Sequence, residues 1–161
     1  MRILITGGVK SGKSRFALKL ADEHFKKKLF LATAIPFDDE MKARIARHRE
    51  ERDSSYTTIE EPVYLDRVRG DNIILDDITV WLGNLLHNGI EDEWETILLG
   101  FLRNCGQNAI IITNETGWGN IPADPSVRKY NRYLGTANML LAEHCDEVYA
   151  CMAGIPLKIK P

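Results

Sequence analysis

The sequence predicts an α/β fold in which a mostly parallel sheet is flanked by helices. Short β-rich apolar segments alternate along the chain with longer segments of helical period, an order that builds parallel sheets through crossover helices. The strand segments are nearly continuous runs of Ile, Leu and Val, as in sheets covered on both faces. The turn Gly154-Ile155-Pro156 predicts a final antiparallel edge strand.

Each element is predicted from its own apolar pattern. The strands are expected at residues 3–5, 29–33, 73–75, 109–113 and 148–152, with the edge strand at 157–159. The first helix follows a glycine-rich turn and ends near the charged run 26–28, which we expect to be solvated. Further helices are expected at 38–51, 80–86, 93–102 and 125–143; in the first of these, Met41, Ile45 and His48 fall at helical spacing.

Length and composition indicate a single globular domain over residues 1–161. The 161 residues are 44% hydrophobic and 27% charged, which is ordinary for one domain. A formal charge of −2 gives no general attraction for nucleic acid. The apolar runs are too short for a membrane span or a signal peptide. The three cysteines lack CxxC spacing and indicate buried thiols. We therefore expect a cytoplasmic protein with no membrane or nucleic-acid partner.

A phosphate-binding motif lies between the first strand and the first helix. The segment Gly7-Gly8-Val9-Lys10-Ser11-Gly12-Lys13-Ser14 matches G-x-x-x-x-G-K-[ST]. Its backbone N–H groups and the helix N-terminus are suited to phosphate, Lys13 to the β- and γ-phosphates, and the Ser14 hydroxyl to Mg²⁺. The motif predicts a P-loop NTPase-type fold that binds a nucleoside triphosphate. It does not choose among kinases, ATPases and recombinase-like motors.

Two acidic residues follow the predicted strand at 73–75. A carboxylate at the carboxyl end of a buried parallel strand is well placed to orient hydrated Mg²⁺, and we assign this role to Asp76. Asp77 is the better candidate for capping the helix that follows. The predicted metal-side residues are therefore Ser14 and Asp76.

The second helix places a histidine between two cations. Arg44 precedes His48 by four residues and Arg52 follows it by four, so the three share one helical face. A neutral imidazole is a nucleophile, and a polyphosphate is an electrophile that requires positive charge around it. The face is therefore suited to attack on an α-phosphate. A single histidine on a charged helix is also commonly an ordinary surface residue, and the spacing leaves both interpretations open.

Several further segments combine into a specific resemblance that extends over nearly the whole chain. The segments are Thr6-Gly7-Gly8 with Ser11–Arg15, Ala32-Thr33-Ala34, Asp38-Asp39-Glu40-Met41, Arg44-Ile45 with His48 and Arg52, Thr58 with Glu60, Thr113-Asn114-Glu115 with Gly117 and Gly119, and Gly154–Lys158. Together they resemble the bifunctional adenosylcobinamide kinase / adenosylcobinamide-phosphate guanylyltransferases of cobalamin biosynthesis.

The resemblance implies an enzyme with two successive reactions. The first phosphorylates the hydroxyl of the aminopropanol arm of adenosylcobinamide with ATP or GTP, assisted by Mg²⁺. The second transfers GMP from GTP to adenosylcobinamide phosphate, which gives adenosylcobinamide-GDP and pyrophosphate. The family carries GMP on the histidine that matches His48, and its members resemble one another in forming trimers. We therefore expect a homo-oligomer.

The resemblance and the motifs together define the predicted site. The catalytic residues are His48 and Lys13. The nucleotide-binding residues are Gly7, Gly8, Val9, Lys10, Ser11, Gly12, Lys13, Ser14, Thr33, Ala34, Ile35, Arg44, Arg52, Glu60 and Asp76. Of these, the Glu60 carboxylate is suited to accept hydrogen bonds from the N1–H and the N2 amino group of guanine.

Two alternative functions remain open on the sequence. One is another small-molecule P-loop kinase in which His48 is incidental. The other is a recombinase-like nucleotide-switch module that binds DNA or a partner, which would require a basic, aromatic-bearing surface. The balanced charge of the chain argues against this second alternative.

Overall fold

The computed structural model describes residues 1–119 and 121–160, apart from the side chain of Arg44. Within this part the strands are β1 (Arg2–Gly7), β2 (Lys28–Ala32), β3 (Tyr56–Glu60), β4 (Ile73–Asp76), β5 (Ala109–Ile112), β6 (Glu147–Met152) and β7 (Ile155–Lys160). The helices are α1 (Lys13–His24), α2 (Asp39–Glu50), α3 (Ile78–Asn88), α4 (Trp94–Asn104) and α5 (Pro125–His144). Short 3-10 helices occupy Leu65–Arg67 and Glu91–Glu93.

The strands form one sheet in the order β3-β2-β4-β5-β1-β6-β7. All neighbouring pairs are parallel except β6 and β7, which are antiparallel. The predicted fold class is therefore confirmed, including the antiparallel edge strand at the C-terminal end. The sheet order also matters for function, because it brings the carboxyl ends of β1, β4, β2 and β3 to one edge.

Helices cover both faces of the sheet. Ala17, Leu20 and Ala21 of α1 pack on one face against Ile3, Ile5 and other strand residues. Buried residues of α3, α4 and α5 pack on the opposite face, where Trp81, Phe101 and Leu141 are completely buried. Both faces are covered because successive side chains of a strand point to opposite sides of the sheet, and both sides of these strands are apolar.

Helix α2 lies on the same face as α1 but packs more loosely. Met41 and Ile45 are only half-buried, and no described side chain of α2 is fully buried. The helix is capped by Asp38, whose carboxylate accepts a hydrogen bond from the backbone N–H of Met41 at 2.7 Å. The predicted inward face of this helix, with Met41, Ile45 and His48, is confirmed by the residues that line the cleft beneath it.

Two features of the fold differ from the sequence-based expectations. β3 was not expected, because an exposed edge strand with the polar sequence Tyr-Thr-Thr-Ile-Glu lacks a buried apolar run. The expectation that Lys28 is solvated is wrong: its side chain is buried, and its ammonium lies 2.8 Å from a carboxylate oxygen of Asp22 and donates to the Ser55 hydroxyl. No helix in residues 1–119 and 121–160 is both long and apolar enough to span a membrane.

Candidate active site

The phosphate-binding motif forms a tight loop between β1 and α1. Gly7 and Gly12 have φ angles of 147° and 92°, in the region that favours glycine. A Cβ at Gly7 would overlap the carbonyl oxygen of Cys151, and one at Gly12 would lie 3.1 Å from Cα of Gly154. The loop is also tied to its neighbours by hydrogen bonds from the N–H of Glu115 to Gly7 and from that of Gly154 to Ser11, each 3.1 Å. The backbone of this loop is therefore closely constrained.

The polar side chains of the loop differ in burial and in their hydrogen bonds. Lys13 is buried, and its ammonium donates to the carbonyl of Gly8 at 2.6 Å. Ser14 is half-buried in the first turn of α1. The hydroxyl of Ser11 is buried and has no hydrogen-bond partner among the described residues. Val9 is strongly exposed at the tip of the loop.

Asp76 ends β4 at the same sheet edge. The registers place Glu60, Ala32, Asp76, Ile112 and Ile5 in one row across five strands. With neighbouring strands about 4.8 Å apart, Asp76 lies roughly 10 Å across the sheet from both β1 and β3. The row therefore extends from the phosphate-binding loop, past Asp76, to Glu60.

The backbone at Asp76 is held by Thr33. The N–H of Thr33 donates to the carbonyl of Asp76 at 3.1 Å, and its hydroxyl accepts from the N–H of Asp77 at 3.0 Å. The same hydroxyl lies 3.0 Å from the carbonyl oxygens of both aspartates, either of which can accept its proton. The Asp76–Asp77 peptide bond is cis. Asp77 caps α3 by accepting from the N–H of Val80 at 2.7 Å, as predicted.

His48 lies against Asp76. Nδ1 of the imidazole is 3.6 Å from a carboxylate oxygen of Asp76, and the two side chains are 26% and 17% exposed. This contact joins α2 to the carboxyl end of β4. The histidine of α2 therefore belongs to the sheet edge that holds the phosphate-binding loop and is not an isolated surface residue.

A cleft surrounds this pair between α2 and the ends of β2, β3 and β4. The cleft is partly open to solvent. The lining residues from α2 are Met41, Ile45, His48 and Arg49, and Arg52 lines the cleft from just beyond the end of α2 at Glu50, so it does not lie on the helix as the sequence predicted; the lining residues on the sheet side are Phe30, Ala32, Ala34, Thr58, Glu60, Asp76, Asp77 and Val80. The cleft thus combines an apolar floor with two guanidinium groups, an imidazole and carboxylates.

The two arginines of the cleft are held differently. The Arg52 guanidinium stacks 3.7 Å from the centre of the Phe30 ring. Burial lowers the pKa of Arg52, while the charge of Asp76 acts in the opposite direction, and the guanidinium stays protonated at neutral pH. Arg49 forms an exposed ion pair with Glu60, 3.7 Å between nitrogen and oxygen. Positive charge is therefore available beside His48.

Most of the predicted site residues converge on this edge. The described ones fall into three groups: the loop Gly7–Ser14, the cleft residues Ala34, His48, Arg52, Glu60 and Asp76, and the supporting residue Thr33. Thr33 is completely buried, so in this structure its hydroxyl positions Asp76. Ile35 is exposed and is not among the residues that line the cleft. The side chain of Arg44 lies outside the described residues.

The sequence reasoning assigned no role in the site to two contributors, although Asn84, with Leu85 and Leu86, is among the residues that match the family. Arg49 lines the cleft from the same face of α2 as Met41, Ile45 and His48, and it follows Ile45 by four residues, so the helical period alone would have included it. Asn84 donates to the carbonyls of Thr33 at 2.8 Å and Pro62 at 2.9 Å, which ties α3 to the segments that follow β2 and β3. No local pattern predicts this second contact.

The oxygen donors at this edge fit a magnesium ion that is held mainly by phosphate and water. Ser14 offers a hydroxyl and Asp76 a carboxylate, both hard oxygen ligands. The described residues contain no group of three or more His, Cys, Asp or Glu side chains that could hold a metal ion by themselves. This sparse set is typical of sites in which the substrate phosphates supply further ligands.

A P-loop beside an acidic strand end, in a mostly parallel sheet with helices on both faces, defines a P-loop enzyme that uses nucleotides. The chain belongs to the CobU family, described as cobinamide kinase / cobinamide phosphate guanyltransferase, which matches residues 3–159.

Curated relatives match the chain over their whole length. The bifunctional adenosylcobalamin biosynthesis protein CobP of Pseudomonas aeruginosa is 37% identical, with 99% of this chain and 98% of the relative aligned. The bifunctional adenosylcobalamin biosynthesis proteins CobU of Salmonella typhimurium and Escherichia coli are 34% and 32% identical, each with 99% of this chain and 100% of the relative aligned.

Structural neighbours are more distant. The P4 protein of bacteriophage phi6 and the RadB recombinase each superpose with a TM-score of 0.42, at 11% and 16% identity. The superpositions cover 96% and 92% of this chain, and 52% and 73% of the respective neighbour. Likeness at this level does not bear on function.

Proposed function

We propose that this chain catalyses both reactions of its family: phosphorylation of adenosylcobinamide by a nucleoside triphosphate, then transfer of GMP from GTP to adenosylcobinamide phosphate. The products of the second reaction are adenosylcobinamide-GDP and pyrophosphate. The supporting observation is the row along the sheet edge, in which Asp76 lies between β1 and Glu60, together with His48, which lies against Asp76 from α2. A GTP molecule laid along this edge would have its terminal phosphates in the loop, its α-phosphate near His48 and its base near Glu60.

The proposed roles follow from charge and position. The loop Gly7–Ser14 binds the β- and γ-phosphates, with Lys13 as the principal cation. Arg52, together with Arg44, stabilises the α-phosphate while His48 attacks it. Thr33, Ala34 and Ile35 complete the predicted nucleotide site.

The guanylyl transfer is proposed to proceed in two displacements at phosphorus. In the first, an imidazole nitrogen of His48 forms a bond to the α-phosphorus of GTP, and the bond to the bridging oxygen of the β-phosphate breaks with release of pyrophosphate. In the second, a phosphate oxygen of adenosylcobinamide phosphate bonds to the same phosphorus, and the phosphorus–nitrogen bond breaks with its electron pair returning to the ring. Mg²⁺, held by Ser14 and Asp76, would neutralise charge on the phosphates.

Guanine selection is assigned to Glu60. Its side chain lines the cleft at the far end of the row from the P-loop, and it is 69% exposed, so it is accessible to a base. The ionised carboxylate accepts hydrogen bonds from the N1–H and N2 amino groups, which adenine lacks as a pair. Arg49, which pairs with Glu60, would have to share or release this carboxylate when guanine binds.

We also propose a cytoplasmic homo-oligomer, a trimer by family likeness. Supporting this is an apolar face on the edge strand β7, where Ile155, Leu157 and Ile159 are 69%, 52% and 56% exposed. They alternate along the strand and so share one side of the sheet. An exposed apolar edge strand of this kind is typical of a protein interface.

Labelled GTP tests the proposed function directly. Incubation with α-³²P-labelled GTP should place acid-labile label on the wild-type chain and on the His87→Ala control, whose histidine is exposed on α3. The His48→Ala variant should carry no label and lose GMP transfer, while its kinase activity stays measurable. Label that persists in the His48→Ala variant would refute the assignment of the nucleophile.

The two alternatives give different outcomes in simple assays. A small-molecule kinase in which His48 is incidental would acquire no label from the α-phosphate in any variant. A recombinase-like module would retain single-stranded DNA on a filter at low salt, a result that the formal charge of −2 argues against.

A further inference from the structure

We infer that Asp76 is a positioning residue for His48: it holds the ring through Nδ1, so that GMP is carried on Nε2. The inference rests on the proposed function, because it concerns the histidine that is proposed to carry GMP. It adds a second role for the Asp76 carboxylate beside its predicted part in orienting Mg²⁺. It also specifies which of the two ring nitrogens forms the phosphoramidate.

Nδ1 of His48 is the ring atom that faces Asp76, at 3.6 Å from the carboxylate oxygen Oδ2. This separation is longer than a hydrogen bond, but a shift of about 0.7 Å would close it to an ordinary N–H···O distance. Catalytic hydrogen bonds are commonly longer before the substrate binds and tighten in its complex.

Of the two partners, Asp76 is the more firmly held. Asp76 belongs to the central strand β4, and its carbonyl is held by the N–H of Thr33 at 3.1 Å. His48 belongs to α2, in which no described side chain is fully buried. The carboxylate therefore offers a fixed acceptor, and the imidazole on the looser helix aligns to it.

A carboxylate that accepts a hydrogen bond from Nδ1–H selects the tautomer in which Nε2 carries the lone pair. When Nε2 attacks the α-phosphorus, pyrophosphate leaves with the electron pair of the broken P–O bond, and the ring becomes positively charged. Asp76 faces the Nδ1–H that shares this charge and stabilises it, as the buried aspartate does in serine proteases. The reverse electron flow returns the lone pair to Nε2 when GMP is passed on.

The ring position of the adduct provides the direct test. Wild-type protein containing ¹⁵N-labelled histidine would be incubated with GTP, and the phosphorylated nitrogen would be identified by ³¹P and ¹H–¹⁵N correlation spectra. Phosphorus coupled to Nε2 of His48 is the expected result, and phosphorus on Nδ1 would overturn the inference while leaving the proposed function intact. Absence of any histidine adduct would instead refute the proposed function.

A magnesium titration separates the two roles of Asp76. The Asp76→Asn variant should form the adduct about 10- to 100-fold more slowly than the wild type, the usual cost of removing a group that orients a reactive histidine. The slow rate should persist at saturating Mg²⁺. Full recovery at high Mg²⁺ would show that Asp76 acts through the metal alone and would refute its positioning role. The matched control is Asp39→Asn, which changes an exposed carboxylate in the first turn of α2.

Discussion

Gly7 and Gly8 are adjacent in the P-loop but differ in backbone conformation and in the space around an added Cβ. Gly7 has a φ of 147°, and a Cβ there would collide with the carbonyl oxygen of Cys151. At Gly8 the backbone is ordinary, and an added Cβ would meet nothing within 4 Å. Gly7 occupies a fixed position of G-x-x-x-x-G-K-[ST] and Gly8 a variable one, and of the two only Gly7 has a steric reason to be glycine.

This difference predicts unequal effects of the same substitution. Gly7→Ala should lower the free energy of unfolding by about 1–3 kcal/mol, because the strained backbone and the overlap with β6 act together. Gly8→Ala should change it by no more than about 0.5 kcal/mol. Urea denaturation followed by circular dichroism measures both. Equal losses in the two variants would contradict the steric argument.

The residues of the site were predictable to different degrees. The P-loop, Asp76 and the cap at Asp77 follow from local motifs, because strand, turn and helix are adjacent in the chain. The contact between His48 and Asp76 joins positions 28 residues apart on different elements, and no local pattern specifies how α2 lies on the sheet. The sequence therefore indicated a candidate nucleophile, and the resemblance strengthened it, but its carboxylate partner required the structure.

Among the helices, α2 is the one whose packing is suited to movement. Its described side chains are at most half-buried, and its ion pair with β3, between Arg49 and Glu60, is exposed on both sides. Helix α4, by contrast, buries six of its residues in the core. Few buried contacts indicate low local stability, so α2 should open more readily than α4.

Hydrogen exchange should detect this difference. The amides of α2 should exchange faster than those of α4 in the free protein. Addition of GTP should slow exchange in α2, because the adduct on His48 ties the helix to the nucleotide at the sheet edge. The His48→Ala variant should bind GTP with less protection of α2. Protection in α2 equal to that in α4 before GTP is added would contradict the loose packing.

Among the strands and helices, those with a regular pattern of buried apolar residues were predicted correctly from the sequence. The central strands were recognised because they are apolar on both faces, and the helices because their inner faces have a period near 3.6 residues. β3 was missed because only one of its neighbours is a strand and its burial pattern has no buried position. Lys28 was misjudged because its buried ion pair with Asp22 depends on where β2 begins relative to α1.

For the whole molecule, we expect a single P-loop to serve both reactions. The 161 residues form one sheet with one such loop among the described segments, between β1 and α1. Lys13→Ala should therefore reduce the kinase and guanylyltransferase rates together, each by about 10²- to 10³-fold, the usual loss when a charge that stabilises the transition state is removed.

A matched variant keeps this experiment specific. Lys19→Ala removes an exposed lysine from the same helix, where it forms only a distant ion pair with Glu23 at 3.8 Å. Both rates should stay close to those of the wild type. Retention of GMP transfer in Lys13→Ala, with loss of the kinase step alone, would demonstrate a second nucleotide site elsewhere in the molecule.

Association of several copies is a property of the whole molecule, and a neighbouring copy can contribute residues to the site. If copies join through the apolar face of β7, then Leu157→Lys combined with Ile159→Lys places two charges in the interface, and desolvating them opposes association. Multi-angle light scattering should give the wild type a mass three times the 18.3 kDa of one chain and the double variant the mass of one chain. Lys158→Ala alters the opposite face of the same strand and should keep the wild-type mass. A double variant that retains the wild-type mass would place the interface elsewhere, and a wild type that is monomeric would refute the proposed oligomer.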